Sequence, residues 1–183
     1  MSLFKPSLVK FAFRLENAQT ERLTFRSLTL NDVDEWTKFA SNKLSMKFFD
    51  LDGLSPNAFS ESWIMRQLAR YDDYGYGLAA LIEKNTGNFV GQCGLLTQEV
   101  NGKTEIEVGY SLLPDHQGKG FASEAAIFCK EFAFANKLAD SVISLIHPEN
   151  QRSIRVAEKN GMKPEGMTKY KQFDVVVYRV YNR

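Results

Sequence analysis

The sequence predicts an α+β fold, with a mixed, mostly antiparallel sheet of about seven strands flanked by about four helices. Strand-like and helical periodicities follow one another in the order β-α-α-β-β-β-α-β-α-β-β. Turn signals at Asn85-Thr86-Gly87 and Asn101-Gly102 separate three consecutive strands, which favours an antiparallel meander. Residues 142–147 form a short, nearly all-apolar run, as expected of a strand buried in the centre of a sheet.

The first half of the chain predicts one strand and two helices. Residues 23–28 alternate apolar and polar side chains, as a strand does. Thr29 and Asp32 have the spacing of a capping box, which predicts that a helix begins there. Residues 55–70 begin with a Ser-Pro pair and predict a second helix, because serine is a favoured cap and proline suits the first helical turn.

The second half predicts three strands, at residues 77–83, 88–96 and 104–113, and two helices, at residues 120–137 and 152–160. The apolar strand 142–147 lies between these helices in sequence. Predicted strands at residues 167–173 and 175–181 form a closing hairpin. Apolar side chains recur at helical spacing in the longer helix and are expected to face the sheet: Phe121, Ala125, Phe128 and Phe132.

The composition predicts one globular domain spanning residues 1–183, with residues 1–18 as a loose N-terminal arm. The 23 basic and 22 acidic residues balance, so no nucleic acid or anionic membrane is expected as a partner. Cys93 and Cys129 form no disulfide or zinc pattern. No apolar run suits a signal peptide or a membrane span, so a cytoplasmic protein is expected. Monomer and homodimer both stay open.

The segment 108–124 carries the clearest chemical signal. A strand leads into a turn containing Gly118 and Gly120, and a helix begins at once. Unpaired backbone N–H groups and the helix dipole make such a turn suitable for binding phosphate. Side chains in place of the glycines would block the approach of the phosphates.

Three other interpretations of the same turn can be compared with it. A Walker loop requires Gly-Lys-Ser/Thr, but Gly120 follows Lys119 and Leu113 stands where the first glycine belongs. A dinucleotide fingerprint requires a third glycine where Ser123 stands, although Asp140 has a suitable spacing for a ribose contact. The glycines could also serve only a tight strand-to-helix turn. Dinucleotide binding therefore stays an alternative that titration with NAD would test.

The motif Gln117-Gly-Lys-Gly-Phe-Ala122 resembles the Gln/Arg-x-x-Gly-x-Gly/Ala signature of the GNAT superfamily of N-acetyltransferases. The opening strand at residues 20–28, the segment 91–94, the segment 107–110 and the Asn-containing segment 148–161 are similar to the RimJ/RimL-type branch, the ribosomal-protein N-terminal acetyltransferases. The resemblance extends from about residue 20 to the C-terminus.

This resemblance implies acetyl-CoA as the cofactor and an amine, either a protein N-terminus or a small molecule, as the acceptor. The sheet would be splayed, with the pantetheine arm between the strand before the signature and the apolar strand. The implied cofactor-binding residues are Leu112, Leu113, Gln117, Gly118, Lys119, Gly120, Phe121, Ala122, Asn150 and Ser153. Leu112 and Leu113 would lie near a bulge in their strand. Asn150 and Ser153 could equally be helix-capping residues.

Acetylation needs a neutral amine, and amines have pKa values of about 8 to 10.4. A base must therefore remove a proton near the time of attack. Glu105 and Glu107 lie on one face of the strand that enters the site, and either could be this base, Glu107 being nearer the implied bulge. A backbone N–H of Leu112 or Leu113 could stabilise the oxyanion.

Two departures from the family pattern motivate an alternative function. Ala157 stands where many members have a tyrosine that protonates the leaving thiolate, and Ser153 would be the substitute donor. Gln172 stands where RimL-type enzymes tend to have a glutamate in the penultimate strand. A non-catalytic acyl-CoA-binding or sensor module is therefore the alternative. His116 and His147 have no metal-binding partners at suitable spacing, and no metal is expected.

Overall fold

The computed structural model describes residues 14–182, so most of the predicted N-terminal arm lies outside the described residues. The described part contains seven strands and four α-helices, in the predicted order: β1 (Leu23–Arg26), α1 (Val33–Ala40), α2 (Pro56–Tyr74), β2 (Leu78–Glu83), β3 (Phe89–Val100), β4 (Lys103–Leu112), α3 (Phe121–Ala135), β5 (Ser141–Ile146), α4 (Gln151–Lys159), β6 (Lys163–Tyr170) and β7 (Phe173–Tyr181). Three short 3-10 turns occupy Leu30–Asp32, Ser45–Phe48 and Pro114–His116.

The strands form one sheet in the order β1-β2-β3-β4-β5-β7-β6. Every neighbouring pair is antiparallel except β4 and β5, which are parallel. This parallel pair meets at a single position, Glu107 opposite Ile143, whereas β3 and β4 pair along ten positions. The mixed, mostly antiparallel sheet is confirmed, and it is splayed between β4 and β5.

The helices cover both faces of the sheet. The larger core packs α3 and α4 against one face, with Val108, Ala125 and Cys129 among its buried residues. A second core packs α1 and α2 against the other face around Trp36 and Ile64. The β4–β5 split is therefore bordered by α3 and α4 on one face of the sheet.

The helix ends follow the signals in the sequence. The Ser55 hydroxyl accepts a hydrogen bond from the backbone N–H of Ala58 at 3.2 Å and caps α2. That helix ends at Gly75, whose φ of 71° lies in the left-handed region that glycine tolerates. The Asp32 carboxylate accepts a hydrogen bond from the Thr29 backbone N–H at 2.8 Å, so the capping pair forms as predicted.

The closing hairpin differs from its prediction. Its turn lies at Lys171 and Gln172, where Lys171 has a φ of 52°, so the predicted strand 167–173 wrongly runs through the turn. β6 also begins earlier, at Lys163. Its first half is exposed and shows no alternation, because it is an edge strand that buries neither face in the core. The periodicity on which the prediction rested is therefore missing.

The arm, as far as it is described, is packed rather than loose at Leu15. This side chain is 0% exposed and belongs to the larger core. We expect Leu15→Ala to lower the free energy of unfolding by about 3 kcal/mol, since it would leave a cavity in the core. The control is Leu44→Ala, because Leu44 is 75% exposed and its loss should change stability by less than about 0.5 kcal/mol. Equal denaturant midpoints for the two variants would contradict this assignment.

Candidate active site

The split in the sheet begins where hydrogen bonds made by side chains replace the backbone hydrogen bonds between β4 and β5. A regular parallel ladder would next join the Leu145 N–H to the Val108 carbonyl. Instead, the Ser144 hydroxyl donates to the Val108 carbonyl at 2.8 Å, and the Leu145 N–H approaches Glu107 Oε1 at 3.4 Å. The two strands diverge beyond this point, so the end of β4 has one edge without a neighbouring strand.

Every second residue of β4 directs its backbone N–H and C=O groups towards the split. The Leu113 N–H donates to the Val90 carbonyl at 3.0 Å, so Leu113 and Val90 form a hydrogen-bonded pair between β3 and β4. Such pairs alternate along an antiparallel ladder, and the N–H groups of Leu112 and Tyr110 therefore point away from β3 and towards the split. The Leu112 carbonyl accepts a hydrogen bond from Gln117 Nε2 at 3.0 Å.

The bulge predicted in β4 is absent from its pairing with β3, and the backbone of Leu113 is engaged within the protein. The Leu113 carbonyl accepts from the His116 N–H at 3.0 Å, so both backbone groups of Leu113 are used within the protein. β3 and β4 pair without a register shift through Leu112. The irregularity lies instead between β2 and β3, next to Gly91, where a Cβ would lie 2.4 Å from the Ser111 carbonyl oxygen.

The turn before α3 has the properties of an anion-binding loop. Gly118 and Gly120 have φ values of 78° and 88°. In the part of the chain that the structure describes, the N–H groups of residues 118–122 have no hydrogen-bond partner. A Cβ on Gly118 would have no atom within 4 Å, so the backbone is open to a ligand there. The residues present therefore fit a diphosphate at the helix N-terminus.

Arg22 and Glu124 hold this turn in place, and no sequence pattern predicts either role. Arg22 Nη1 donates to the Lys119 carbonyl at 2.9 Å, and its Nε pairs with Glu124 Oε2 at 2.7 Å. Although burial raises the pKa of Glu124, hydrogen bonds from Thr20 and Arg22 hold that pKa below its usual value. The two residues are 102 positions apart, so no local pattern could have linked them.

α4 supplies the opposite wall of the split. Asn150 Oδ1 accepts a hydrogen bond from the Ser153 N–H at 3.2 Å, which is the capping role that residue type allowed. The Tyr110 hydroxyl donates to the Ser153 carbonyl at 2.9 Å and joins β4 to α4. Arg152 donates to Gln117 Oε1 and joins the same helix to the glycine turn. Ala157 is fully buried in the core.

Glu107 lies at the origin of the split, on the face of the sheet covered by α2. Gln98 Nε2 donates to Glu107 Oε2 at 2.6 Å and approaches the Tyr170 hydroxyl at 3.3 Å. Burial raises the pKa of Glu107, and the hydrogen bonds from Gln98 and from the Leu145 backbone oppose this shift. A carboxylate with a raised pKa is a stronger proton acceptor than an exposed glutamate.

Glu105 is held in an ion pair, which argues against it as the base. Arg179 Nη1 and Nη2 both donate to its carboxylate at 2.9 Å, and the two side chains are 12% and 14% exposed. Arg179 Nε also pairs with Glu165 at 2.6 Å. A carboxylate that accepts two charged hydrogen bonds is committed to that structural role.

Aromatic side chains line the same face beyond Glu107. The Trp63 Nε1–H donates to Gln92 Oε1 at 2.9 Å, and Phe49 and Phe59 both contact the Trp63 ring. Gln172, in the turn between β6 and β7, donates to Asp50. This contact joins the closing hairpin to the segment before α2, so the predicted position of Gln172 in a strand is wrong.

Residues 14–182 contain no metal-binding cluster, disulfide or membrane-spanning helix. No group of three histidine, cysteine or acidic side chains there could hold a metal ion. Cys93 and Cys129 are free and buried, with their Sγ atoms 3.7 Å apart. Among these residues, no helix combines the length and apolar character needed to cross a membrane.

Comparison with known proteins decides the family. The acetyltransferase (GNAT) domain family matches residues 22–163 of this chain. The chain belongs to the GNAT acetyltransferase family. YkkB of Bacillus subtilis (strain 168) is 34% identical over 154 residues, which cover 80% of this chain and 87% of YkkB. The uncharacterized N-acetyltransferase p20 of Bacillus licheniformis is 28% identical over 154 residues, covering 84% of this chain and 85% of p20.

Solved structures share the GNAT fold. An acetyltransferase from Agrobacterium tumefaciens str. C58 superposes with a TM-score of 0.77 and 26% identity, over 94% of this chain and 98% of that one. The ribosomal-protein acetyltransferase RimL, determined in complex with coenzyme A, superposes with a TM-score of 0.70 and 17% identity, over 91% and 97% of the two chains. The predicted resemblance to the GNAT family is confirmed, and the protein is an acyltransferase.

Proposed function

We propose that this GNAT protein transfers the acetyl group of acetyl-CoA to an amine, either a protein N-terminus or a small molecule. One observation carries the proposal: unpaired amides at the N-terminus of α3 and a partly buried carboxylate, Glu107, lie at the two ends of one split between β4 and β5. A diphosphate on the amides would direct a thioester along the split towards the carboxylate. The RimL structure with coenzyme A supports this choice of cofactor.

The cofactor would be held mainly by backbone groups. The N–H groups of residues 118–122 suit the diphosphate, with Lys119 and Phe121 contributing through their backbone. The free N–H of Leu112 faces the split and suits a carbonyl oxygen of the cofactor. Asn150 and Ser153 line the opposite wall. Bound acetyl-CoA supplies the activated thioester carbonyl, and the protein supplies position and proton transfer.

Three groups of the chain would carry the reaction. Glu107 takes a proton from the amine, directly or through a water molecule. The Leu112 N–H stabilises the negative charge that develops on the carbonyl oxygen. The Ser153 hydroxyl makes no hydrogen bond with the described residues and can donate one to the leaving sulfur, which departs as a thiolate because its pKa is about 8.5.

The alternative is a sensor that binds acyl-CoA without turnover. It is favoured by Ala157, which is fully buried and leaves α4 without the tyrosine that many family members use as an acid. A sensor and an enzyme would both bind the cofactor through the backbone N–H groups of residues 118–122, so cofactor binding alone does not distinguish them.

The decisive experiment measures binding and turnover on one preparation. We expect coenzyme A to bind in calorimetry and free thiol to appear when acetyl-CoA is mixed with a panel of amines, with the acetylated product identified by mass. Tight binding without thiol release for every amine would favour the sensor. No binding of coenzyme A, together with binding of NAD, would contradict both interpretations.

A further inference from the structure

One flank of α2 combines aromatic and basic side chains beside the proposed acceptor region. Phe59, Trp63, Arg66 and Arg70 follow one another at intervals of four, three and four residues, so they lie along one side of the helix. We name these four residues the α2 strip. The Arg66 guanidinium lies over the Trp63 ring, 5.3 Å from its centroid.

Buried amide side chains position this strip. Gln92, which is 0% exposed, accepts the hydrogen bond of the Trp63 indole and so fixes the ring on which Arg66 stacks. Gln67, which is 1% exposed, accepts from Arg70 Nη1 at 3.3 Å and from the Leu78 N–H at 3.1 Å. Both guanidinium groups are thus oriented by the core, which reduces the entropy lost when they bind a ligand.

The strip faces the carboxylate proposed as the base. Burial raises the pKa of Glu107, and the charge of Arg70 acts against this shift. Burial also raises the pKa of Tyr170, and the charges of Arg70 and Arg66 both oppose that rise. The contacts of the strip give the same placement. The Trp63 indole reaches Gln92, which pairs with Ser111 of β4, and Gln67 beside Arg70 reaches Leu78, whose partner Gly94 pairs with Gly109 of β4. Since side chains repeat every two residues along a strand, the strip lies over the face of β4 that carries Glu107.

Neither arginine has an acidic partner. Across residues 14–182, no carboxylate forms an ion pair with Arg66 or Arg70. Three acids of other elements are engaged with other partners: Glu105 pairs with Arg179, Glu149 pairs with Lys47, and Asp50 accepts from Gln172. Two oriented guanidinium groups without an ion-pair partner are suited to binding a carboxylate.

We infer that the acceptor amine carries a carboxylate, which binds Arg66 and Arg70 while its amine approaches Glu107. This inference rests on the proposed acetyl transfer and names its substrate class. It favours free amino acids or peptides with an acidic residue next to the N-terminus, and it disfavours polyamines and basic peptides. Trp63, the partly exposed aromatic member of the α2 strip, would contact the apolar part of the acceptor.

Matched acid and amide acceptors test this. L-methionine is compared with L-methioninamide, and the amidated dipeptide Ser-Asp with amidated Ser-Asn, so the two pairs distinguish a free amino acid from a peptide N-terminus. We expect kcat/KM for the acid member of at least one pair to be about tenfold or more higher, with the advantage declining at high salt.

Variants then locate the contact. Arg66→Gln and Arg70→Gln are expected to raise KM for the preferred acid about tenfold, to leave its amide partner unchanged, and to leave coenzyme A affinity unchanged in calorimetry. Lys159→Gln removes one exposed charge at the end of α4, away from the strip, and should change none of these values.

The outcomes separate this inference from the proposed function. Acetylation of acids and amides with equal kcat/KM, unaffected by either arginine variant, would overturn the inference and leave the acetyl transfer standing. Coenzyme A binding with no acetylation of any amine would overturn both.

Discussion

Gly118→Leu is expected to raise the Kd for coenzyme A by about a hundredfold, or about 2.7 kcal/mol. A Cβ at this position meets no protein atom within 4 Å, so the new side chain would occupy the space in front of the amides of residues 118–122. A diphosphate could not then reach those N–H groups. Calorimetric titration with coenzyme A measures the effect directly.

Gly102→Leu is the matched control. Gly102 has a φ of 74° against 78° for Gly118, and a Cβ there also meets nothing within 4 Å. Strain in the left-handed backbone should therefore lower the free energy of unfolding of both variants by a similar amount, roughly 1–2 kcal/mol. Only the Gly118 variant should lose affinity for the cofactor. Equal affinities in the two variants would mean that the turn before α3 does not hold the diphosphate.

Glu107→Gln is expected to lower kcat by about a hundredfold or more, with the Kd for coenzyme A unchanged. Glutamine keeps the size of the side chain but cannot accept the proton of the amine. The pH dependence gives a second readout. Because burial raises the pKa of Glu107, kcat/KM should rise with pH through a value above the usual 4.5 of a glutamate.

Turnover should rise with pH because the base is active only when its carboxyl group is deprotonated. Below its raised pKa the carboxyl is neutral and turnover is lost, and above it turnover is present. In Glu107→Gln this limb should disappear, and only the limb from deprotonation of the amine itself should remain. An unchanged profile across the pH range would remove Glu107 as the base.

Glu105→Gln is the companion variant, since it changes the same residue type two positions away on the same face. It breaks the ion pair with Arg179, which is a buried interaction, so the melting temperature should fall. Turnover measured well below that temperature should be retained. A loss of turnover at full folding would instead place the base at Glu105.

Local signals in the sequence were sufficient for the order of elements and for the glycine turn. Capping residues such as Ser55 and turn residues such as Gly75 act within a few positions, so their effect is visible in one dimension. The same holds for Gly118 and Gly120, whose positive φ values accompany the strand-to-helix turn that their spacing predicted. The hairpin of β6 and β7 was placed poorly because an exposed edge strand carries no periodic pattern.

The roles of individual site residues depended on contacts between distant parts of the chain. Glu105 and Glu107 share one face of β4, and their tertiary contacts separate them: Glu105 pairs with Arg179, whereas Glu107 accepts from Gln98 and the Leu145 N–H. Leu112 and Leu113 are likewise neighbours of the same type, yet the ladder with β3 leaves the N–H of one free and engages the other.

The sequence by itself determined the fold class, the family and the turn that suits a diphosphate, because helix caps, turns and the glycine motif are local. The tertiary structure alone decided which carboxylate contacts the split, which amide β3 leaves free, and that Arg66 and Arg70 have no ion-pair partner among residues 14–182. These properties arise from burial and pairing between residues far apart in the chain, and neither is encoded in the spacing of residues along one element.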